Sequence, residues 1–191
     1  AVWHQDEQFR ERPAHLTALY CVRTPPDGLG DTTLADSVRG WDRLPAAVRE
    51  RIAGMSARHS LANIPLLDGG DPTTRPDHSV ATHPLVMELP SGKRCMYMGS
   101  LGAEVLDADG TTLGQEEGAA LLQTLFEATE KGGLYTHRWT VGECLLIDNR
   151  RILHTASGRD YRGHDRLMVR VQSREPKPYE AMRATSTSSR L

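Results

Sequence analysis

Short stretches of strand character recur along this chain, each closed by turn-forming residues. Leu19-Tyr20-Cys21-Val22-Arg23 has the β-rich composition of a strand and runs into Thr24-Pro25-Pro26-Asp27-Gly28, a strong turn. An extended segment over His83–Leu89, a turn at Pro90-Ser91-Gly92 and a short strand at Arg94–Met98 follow the same rhythm. Three further strands are predicted near the C-terminal end, at Leu134–Thr140, Glu143–Ile147 and Arg166–Gln172. Helical spacing is found twice. Pro45 suits a first helical turn ahead of Val48, Ile52 and Met55, while Leu121, Leu122, Leu125 and Phe126 mark one face of a helix from Gln115 to Lys131, closed by Gly132-Gly133. Residues 59–82, rich in Asp, Gly, Pro and Thr, read as one long irregular loop, a candidate lid over a site. Ser173–Leu191 reads as a polar tail that frays.

Many short strands with two inserted helices predict a mainly β fold of the closed or sandwiched kind, a jelly roll. Regular strand–helix alternation, which a doubly wound α/β fold requires, is absent. The 191 residues suit one domain, taken here as residues 1–172 followed by the tail at 173–191. Lys plus Arg (23) nearly balance Asp plus Glu (25), so no broad basic field is available for nucleic acid or an anionic membrane. No apolar run approaches the roughly 20 residues of a membrane span. Three scattered cysteines (Cys21, Cys95 and Cys144) form no disulfide framework and fit a reducing cytoplasm. The expected partner is a small molecule, and self-association stays open. The chain opens on Ala1-Val2-Trp3-His4 without an initiator Met, as though entered partway through a strand.

Candidate chemistry starts with His4-Gln5-Asp6. On a strand, residues two apart face the same way, so both side chains can converge on one point. Chance alone produces a His-x-Asp pair in roughly half of chains of this composition, and an isolated pair reads best as surface residues. A second element is the apolar run Leu146-Ile147 into Asp148-Asn149 and then on to His154. Joined to the first, it makes two imidazoles and one carboxylate, a set that occupies one face of an octahedral metal and leaves positions open. The same set suits catalytic zinc, so a zinc hydrolase and a non-catalytic metal-containing binding protein are both alternatives. The third element is the alternating stretch Arg166–Gln172. Arg166 and Arg170 share one face, opposite Leu167, Val169 and Val171, either as a half-exposed strand or as an anion site inside the barrel.

Four blocks carry a resemblance. Trp3–Phe9, Gly30–Ser37, Thr82–Val86 and Arg138–His154, with an arginine (Arg166) twelve residues beyond His154, resemble in order and spacing the taurine dioxygenase (TauD/TfdA) family of Fe(II)- and 2-oxoglutarate-dependent oxygenases. The resemblance implies a double-stranded β-helix with iron held by His4, Asp6 and His154. It further implies that Arg166 binds the distal carboxylate of 2-oxoglutarate with the Thr32 hydroxyl beside it, and that Arg170 faces an acidic substrate. Fe(II), 2-oxoglutarate and O2 are then the expected cofactor and co-substrates, with succinate and CO2 released and the substrate oxidised, not halogenated, because Asp6 supplies the carboxylate. The family also carries a segment before the first His, so the residues that define the substrate are expected upstream of Ala1. Of the rest, His83 reads as structural, and His15, His59, His78, His137 and His164 as solvent-facing or packing. Cys21, Cys95, Trp41 and Trp139 read as core.

Overall fold

The structure, a computed structural model, describes residues 2–25, 29–64, 71, 74, 77–100, 103–156, 165–173 and 183–184. The chain order is β1 (Leu16–Arg23), β2 (Thr32–Asp36), α1 (Ser37–Arg43), α2 (Ala46–Ile52), β3 (Ser56–Ser60), a 3-10 turn (Leu61–Asn63), β4 (Val80–Pro84), β5 (Val86–Glu88), β6 (Arg94–Met96) and β7 (Ala103–Leu106). It continues with α3 (Gln115–Lys131), β8 (Leu134–His137), β9 (Cys144–Asp148), β10 (Ile152–Ala156), β11 (Leu167–Ser173) and β12 (Arg183–Ala184). Among the described residues all strand pairings are antiparallel, in four three-stranded sheets ordered β11-β1-β9, β10-β2-β8, β12-β5-β6 and β4-β3-β7. This is the mainly β jelly roll with inserted helices. No helix among the described residues is long and apolar enough to cross a membrane.

The helix at Gln115–Lys131 coincides with its predicted span, and Gly133 closes it with φ of 111°, a conformation that favours glycine. Among the described residues three α-helices are present where two were expected. α1 escapes a periodicity search because it is seven residues long and carries Gly40 in its middle. Its first turn is capped by the Asp36 carboxylate, which accepts from the Val38 amide at 3.0 Å. The predicted loop over 59–82 is shorter than expected: His59 and Ser60 end β3, Leu61–Asn63 form the 3-10 turn, and Val80–Thr82 belong to β4. Residues 65–70, 72–73 and 75–76, the centre of the candidate lid, lie outside the described residues, as does most of the tail after Ser173.

The main core lies between the β10-β2-β8 sheet and the helices, where Ala35 and Leu153, opposite each other in register, meet Trp41, Leu125 and Phe126. His154 and Leu34, the next opposed pair, point from the other face of the same sheet. In the β11-β1-β9 sheet the sidedness is the reverse of a simple reading. Tyr20, Leu146, Val169 and Val171 share one face and are 44%, 63%, 47% and 62% exposed, while Thr17, Cys21 and Ile147 on the other face are buried. Arg170 sits opposite Leu19, in phase with Thr17 and Cys21, so it belongs to the inner face.

The α1–α3 contact explains Gly40. A Cβ there would lie 2.5 Å from Thr129 Oγ1, 2.7 Å from Met96 Cε and 2.8 Å from the Thr129 Cα, which is backbone and cannot step aside. Gly40→Ala gains up to about 1 kcal/mol of helix preference but overpacks at a cost of about 1–3 kcal/mol. The expected net result is a lower urea midpoint with an unchanged m-value, and a raised midpoint would contradict this packing.

Candidate metal centre

His4 and Asp6 lie on the segment ahead of β1, His4 in a β-bridge and Asp6 at the start of the turn that follows it. One antiparallel bridge joins that segment to β10: His4 N–H donates to the His154 carbonyl at 3.1 Å and His154 N–H donates to the His4 carbonyl at 2.9 Å. A directly opposed pair puts both side chains on one face, and the imidazole centroids are 4.3 Å apart. Asp6, two residues on, returns to the same face. Ligand atoms of His4, Asp6 and His154 lie within 4.8 Å of one another, the one such group of histidine, cysteine and carboxylate side chains found among the described residues.

Each donor is presented in a usable form. His4 Nδ1 donates to the Val2 carbonyl at 3.2 Å, which leaves the lone pair on Nε2, 4.0 Å from Asp6 Oδ1. Burial, and next the adjacent His154, push the His4 pKa down to about 4, so the ring is neutral near pH 7. His154 Nε2 is 3.7 Å from the same Oδ1. Burial works to raise the Asp6 pKa, but His154, the Thr17 hydroxyl and Arg170 outweigh it and hold the carboxyl well below the usual range. The two oxygens of Asp6 have separate duties. Oδ2 accepts from Thr17 Oγ1 at 2.7 Å, and Oδ1 faces both imidazoles and the Arg170 guanidinium at 3.2 Å. Two imidazoles and one fixed carboxylate oxygen converging from one side match the donor set of a divalent ion with open positions.

The turn before β10 supports this arrangement with every residue it contains. Asp148 takes Arg150 bidentately at 2.8 and 3.0 Å. Asn149 reaches Asp6. The Arg150 carbonyl accepts from Gln5 Nε2 at 3.1 Å, and Arg151 pairs with Asp36 while its carbonyl accepts from Ser37. Trp3, pointing away from His4, donates to Glu130 at 2.6 Å and lines a cavity of about 710 Å³ with Leu122 and Phe126; none of the three converging side chains borders it.

The other predicted residues lie on β2 and on or directly before β11. Thr32 is buried opposite Ala156, in phase with Leu34 and hence with His154, and its Oγ1 accepts from Trp139 Nε1 at 3.1 Å. Trp139 is thus core and a neighbour of Thr32 at once. Arg166 directly precedes β11, in phase with Met168 and Arg170; its Nε is shielded from solvent and its charge is felt by buried Cys21. Sequence reasoning missed Asn149, Thr17 and Gln5. Thr17 was signalled by its phase on β1; Asn149 and Gln5 carry no signal beyond lying beside Asp148 and His4.

Against this geometry the comparisons with known proteins are consistent. The family pattern described as "Taurine catabolism dioxygenase TauD, TfdA family" matches residues 1–172, and the chain belongs to that family. An alpha-ketoglutarate-dependent 2,4-dichlorophenoxyacetate dioxygenase of Cupriavidus pinatubonensis is 32% identical over 165 residues, 84% of this chain and 55% of its own length. Pentalenolactone F synthase of Streptomyces avermitilis is 29% identical, covering 80% of this chain and 54% of itself. This chain therefore spans about half the length of the curated relatives it matches. A solved protein of Burkholderia xenovorans, described as an alpha-ketoglutarate dependent 2,4-D dioxygenase, superposes with TM-score 0.77 at 26% identity, over 91% of this chain and 67% of that one. AAD-2, solved in complex with Mn(II) and N-oxalylglycine, shares the fold with TM-score 0.75 at 24% identity, over 92% and 69%.

A buried histidine, His83, fastens the turn that follows Asp6, and a second, His59, packs near it. His83 Nε2 donates to the carbonyls of Gln8 and Arg10, both at 3.0 Å, and packs edge-on against Tyr97. His59 lies 6.1 Å from it between ring centroids. Burial, and then His83, push the His59 pKa to about 3, and burial lowers that of His83. Both values fall below the unfolded one near 6.5, so the unfolded chain binds more protons and stability drops as pH falls from about 6.5 to about 3. Inside that window His59 alone changes stability by up to about 1.4 kcal/mol per pH unit. The metal-free protein should show a falling urea midpoint between about pH 7 and about pH 4, and His59→Phe should flatten the slope; a midpoint independent of pH would contradict the assignment.

Proposed function

We propose that this protein is an Fe(II)- and 2-oxoglutarate-dependent oxygenase that hydroxylates or otherwise oxidises a small, acidic organic substrate. The observation that carries the reading is the convergence of His4, Asp6 and His154 in a member of the TauD/TfdA family. Bound Fe(II) supplies the activation of O2. In the hydroxylation case, substrate C–H, 2-oxoglutarate and O2 become substrate C–OH, succinate and CO2. The chain's own residues hold and orient. His4 and His154 each turn Nε2 toward Asp6 Oδ1 and offer it as a ligand atom. Thr17 keeps Asp6 Oδ2 occupied, so that Oδ1 is the oxygen that would hold the ion.

Arg166 is assigned to the distal carboxylate of 2-oxoglutarate, where a planar fork can bind bidentately. Trp139 donates to the Thr32 oxygen, which leaves the Thr32 hydroxyl proton free to be given to the same carboxylate. Arg170 is assigned to the acidic group of the substrate; its side chain is about half exposed and its Nη1 is 3.2 Å from Asp6 Oδ1, which would set it next to a bound ion and within reach of an incoming anion. The pair of inner-face arginines favours this activity over a zinc hydrolase or a non-catalytic binder, neither of which needs two anion sites. Residues 1–172 are assigned as the catalytic unit, and the scattered cysteines support a reducing cytoplasmic setting.

The test is turnover by the full-length protein, reduced and loaded with Fe(II), with 2-oxoglutarate and a panel of small organic acids that includes 2,4-dichlorophenoxyacetate. Succinate should form with substrate oxidation. Lys keeps the charge of Arg but loses the fork. Arg166→Lys should raise KM for 2-oxoglutarate by about tenfold or more, ahead of any effect on substrate, and Arg170→Lys should do the reverse. No 2-oxoglutarate consumption across the panel would overturn the activity; shifts confined to 2-oxoglutarate in both variants would remove Arg170 and the acidic substrate from the account.

A further inference from the structure

The bridge between His4 and His154 is a single rung. In an antiparallel ladder the doubly hydrogen-bonded pairs recur every second residue, so Asp6 should next exchange both bonds with Ile152. It does not; the pairing stops after one rung. Asp6 N–H instead donates to Asn149 Oδ1 at 2.7 Å, and Asn149 Nδ2 donates to the Asp6 carbonyl at 3.0 Å. A carboxamide presents the same acceptor and donor as a peptide unit. The Asn149 side chain therefore takes the place of the missing strand residue.

The same amide has a second donor hydrogen, and it goes to the Ala14 carbonyl at 2.7 Å, while Asn149's own N–H donates to the His15 carbonyl at 2.9 Å. Asn149 is fully buried. One side chain thus ties the Asp6 peptide to the entry of β1 and to the turn that leads into β10 and His154. The need for such a tie is local. Asp6 opens the turn that continues through Glu7 at φ 60°, so it has no strand beyond it to hold its backbone. Thr17 fixes one carboxylate oxygen but nothing in the main chain.

We propose that Asn149 is a positioning residue for Asp6: by hydrogen-bonding both sides of the Asp6 peptide it sets where the carboxylate Oδ1 stands relative to the imidazoles of His4 and His154, and so sets the affinity of the centre for a divalent ion. The proposal rests on the reading of those three residues as metal ligands. No smaller residue supplies an acceptor and two donors in one plane. Asn149→Ala leaves the Asp6 amide and the Asp6 and Ala14 carbonyls without partners, and Asn149→Ser, with one donor hydrogen on a shorter side chain, can restore at most two of the three bonds.

The experiment is a Mn(II) titration of the metal-stripped full-length protein, followed by the EPR signal of free Mn(II), with the thermal midpoint of each metal-free protein measured alongside. The comparison variant is Thr129→Ala, which removes a buried hydroxyl that donates to the Leu125 carbonyl at 2.9 Å within α3, among none of the residues of the centre. Asn149→Ala should weaken Mn(II) binding by about 10–100-fold, the usual cost of losing a group that orients a ligand. Asn149→Ser should fall between it and the wild type, and Thr129→Ala should stay within about twofold of the wild type, whatever each does to the midpoint. If Asn149→Ala does not fold, the Ser variant carries the test. Wild-type affinity in a folded Asn149 variant, or a loss that Thr129→Ala matches at equal midpoint, would overturn the positioning role. A wild-type protein that binds no Mn(II) would instead overturn the reading of the centre itself.

Discussion

One buried carboxylate sets the terms for the surrounding structure. Asp6 must remain ionised beside two imidazoles with little water around it, and burial alone opposes that. The chain solves the problem by saturating both ends of the residue: Thr17 and Arg170 on the carboxylate, Asn149 on the peptide. These partners arrive from β1, β11 and the turn before β10. The sheet that carries two of them and the strand that carries His154 are therefore joined through Asp6.

The distribution of polarity in the β11-β1-β9 sheet follows from the same demand. A strand of valines alternating with arginines would ordinarily turn its arginines to water. Here Val169 and Val171 face outward and Arg170 faces in, because its charge has a buried anion to meet. The helices pack against the opposite side of the neighbouring sheet, where Leu153 and Ala35 alternate with His154 and Leu34. One strand, β10, thus serves the apolar core with one face and the polar centre with the other.

Much of this was legible in the residues before any coordinates. The period of two in the strands, the long helix ending in glycines, and the relation of His4 to Asp6 are local properties, and local properties survive folding. His154 became meaningful only once joined to residues some 150 positions earlier, and that link came from resemblance, not from periodicity. What stayed hidden was hidden for physical reasons. α1 depends on packing against α3 and not on its own propensity. β2 and β7 are short and lie in sheets assembled from distant segments. The role of Asn149 rests on a ladder that stops early, a fact of register that no spacing in the sequence encodes.

The central claim is that His4, Asp6 and His154 together hold a divalent ion. The direct measurement is an anomalous-difference map from a crystal of the full-length protein grown with Mn(II). A single strong peak enclosed by His4 Nε2, Asp6 Oδ1 and His154 Nε2 is the predicted result. A peak coordinated by other residues, or by the histidines with Asp6 turned away, would contradict it.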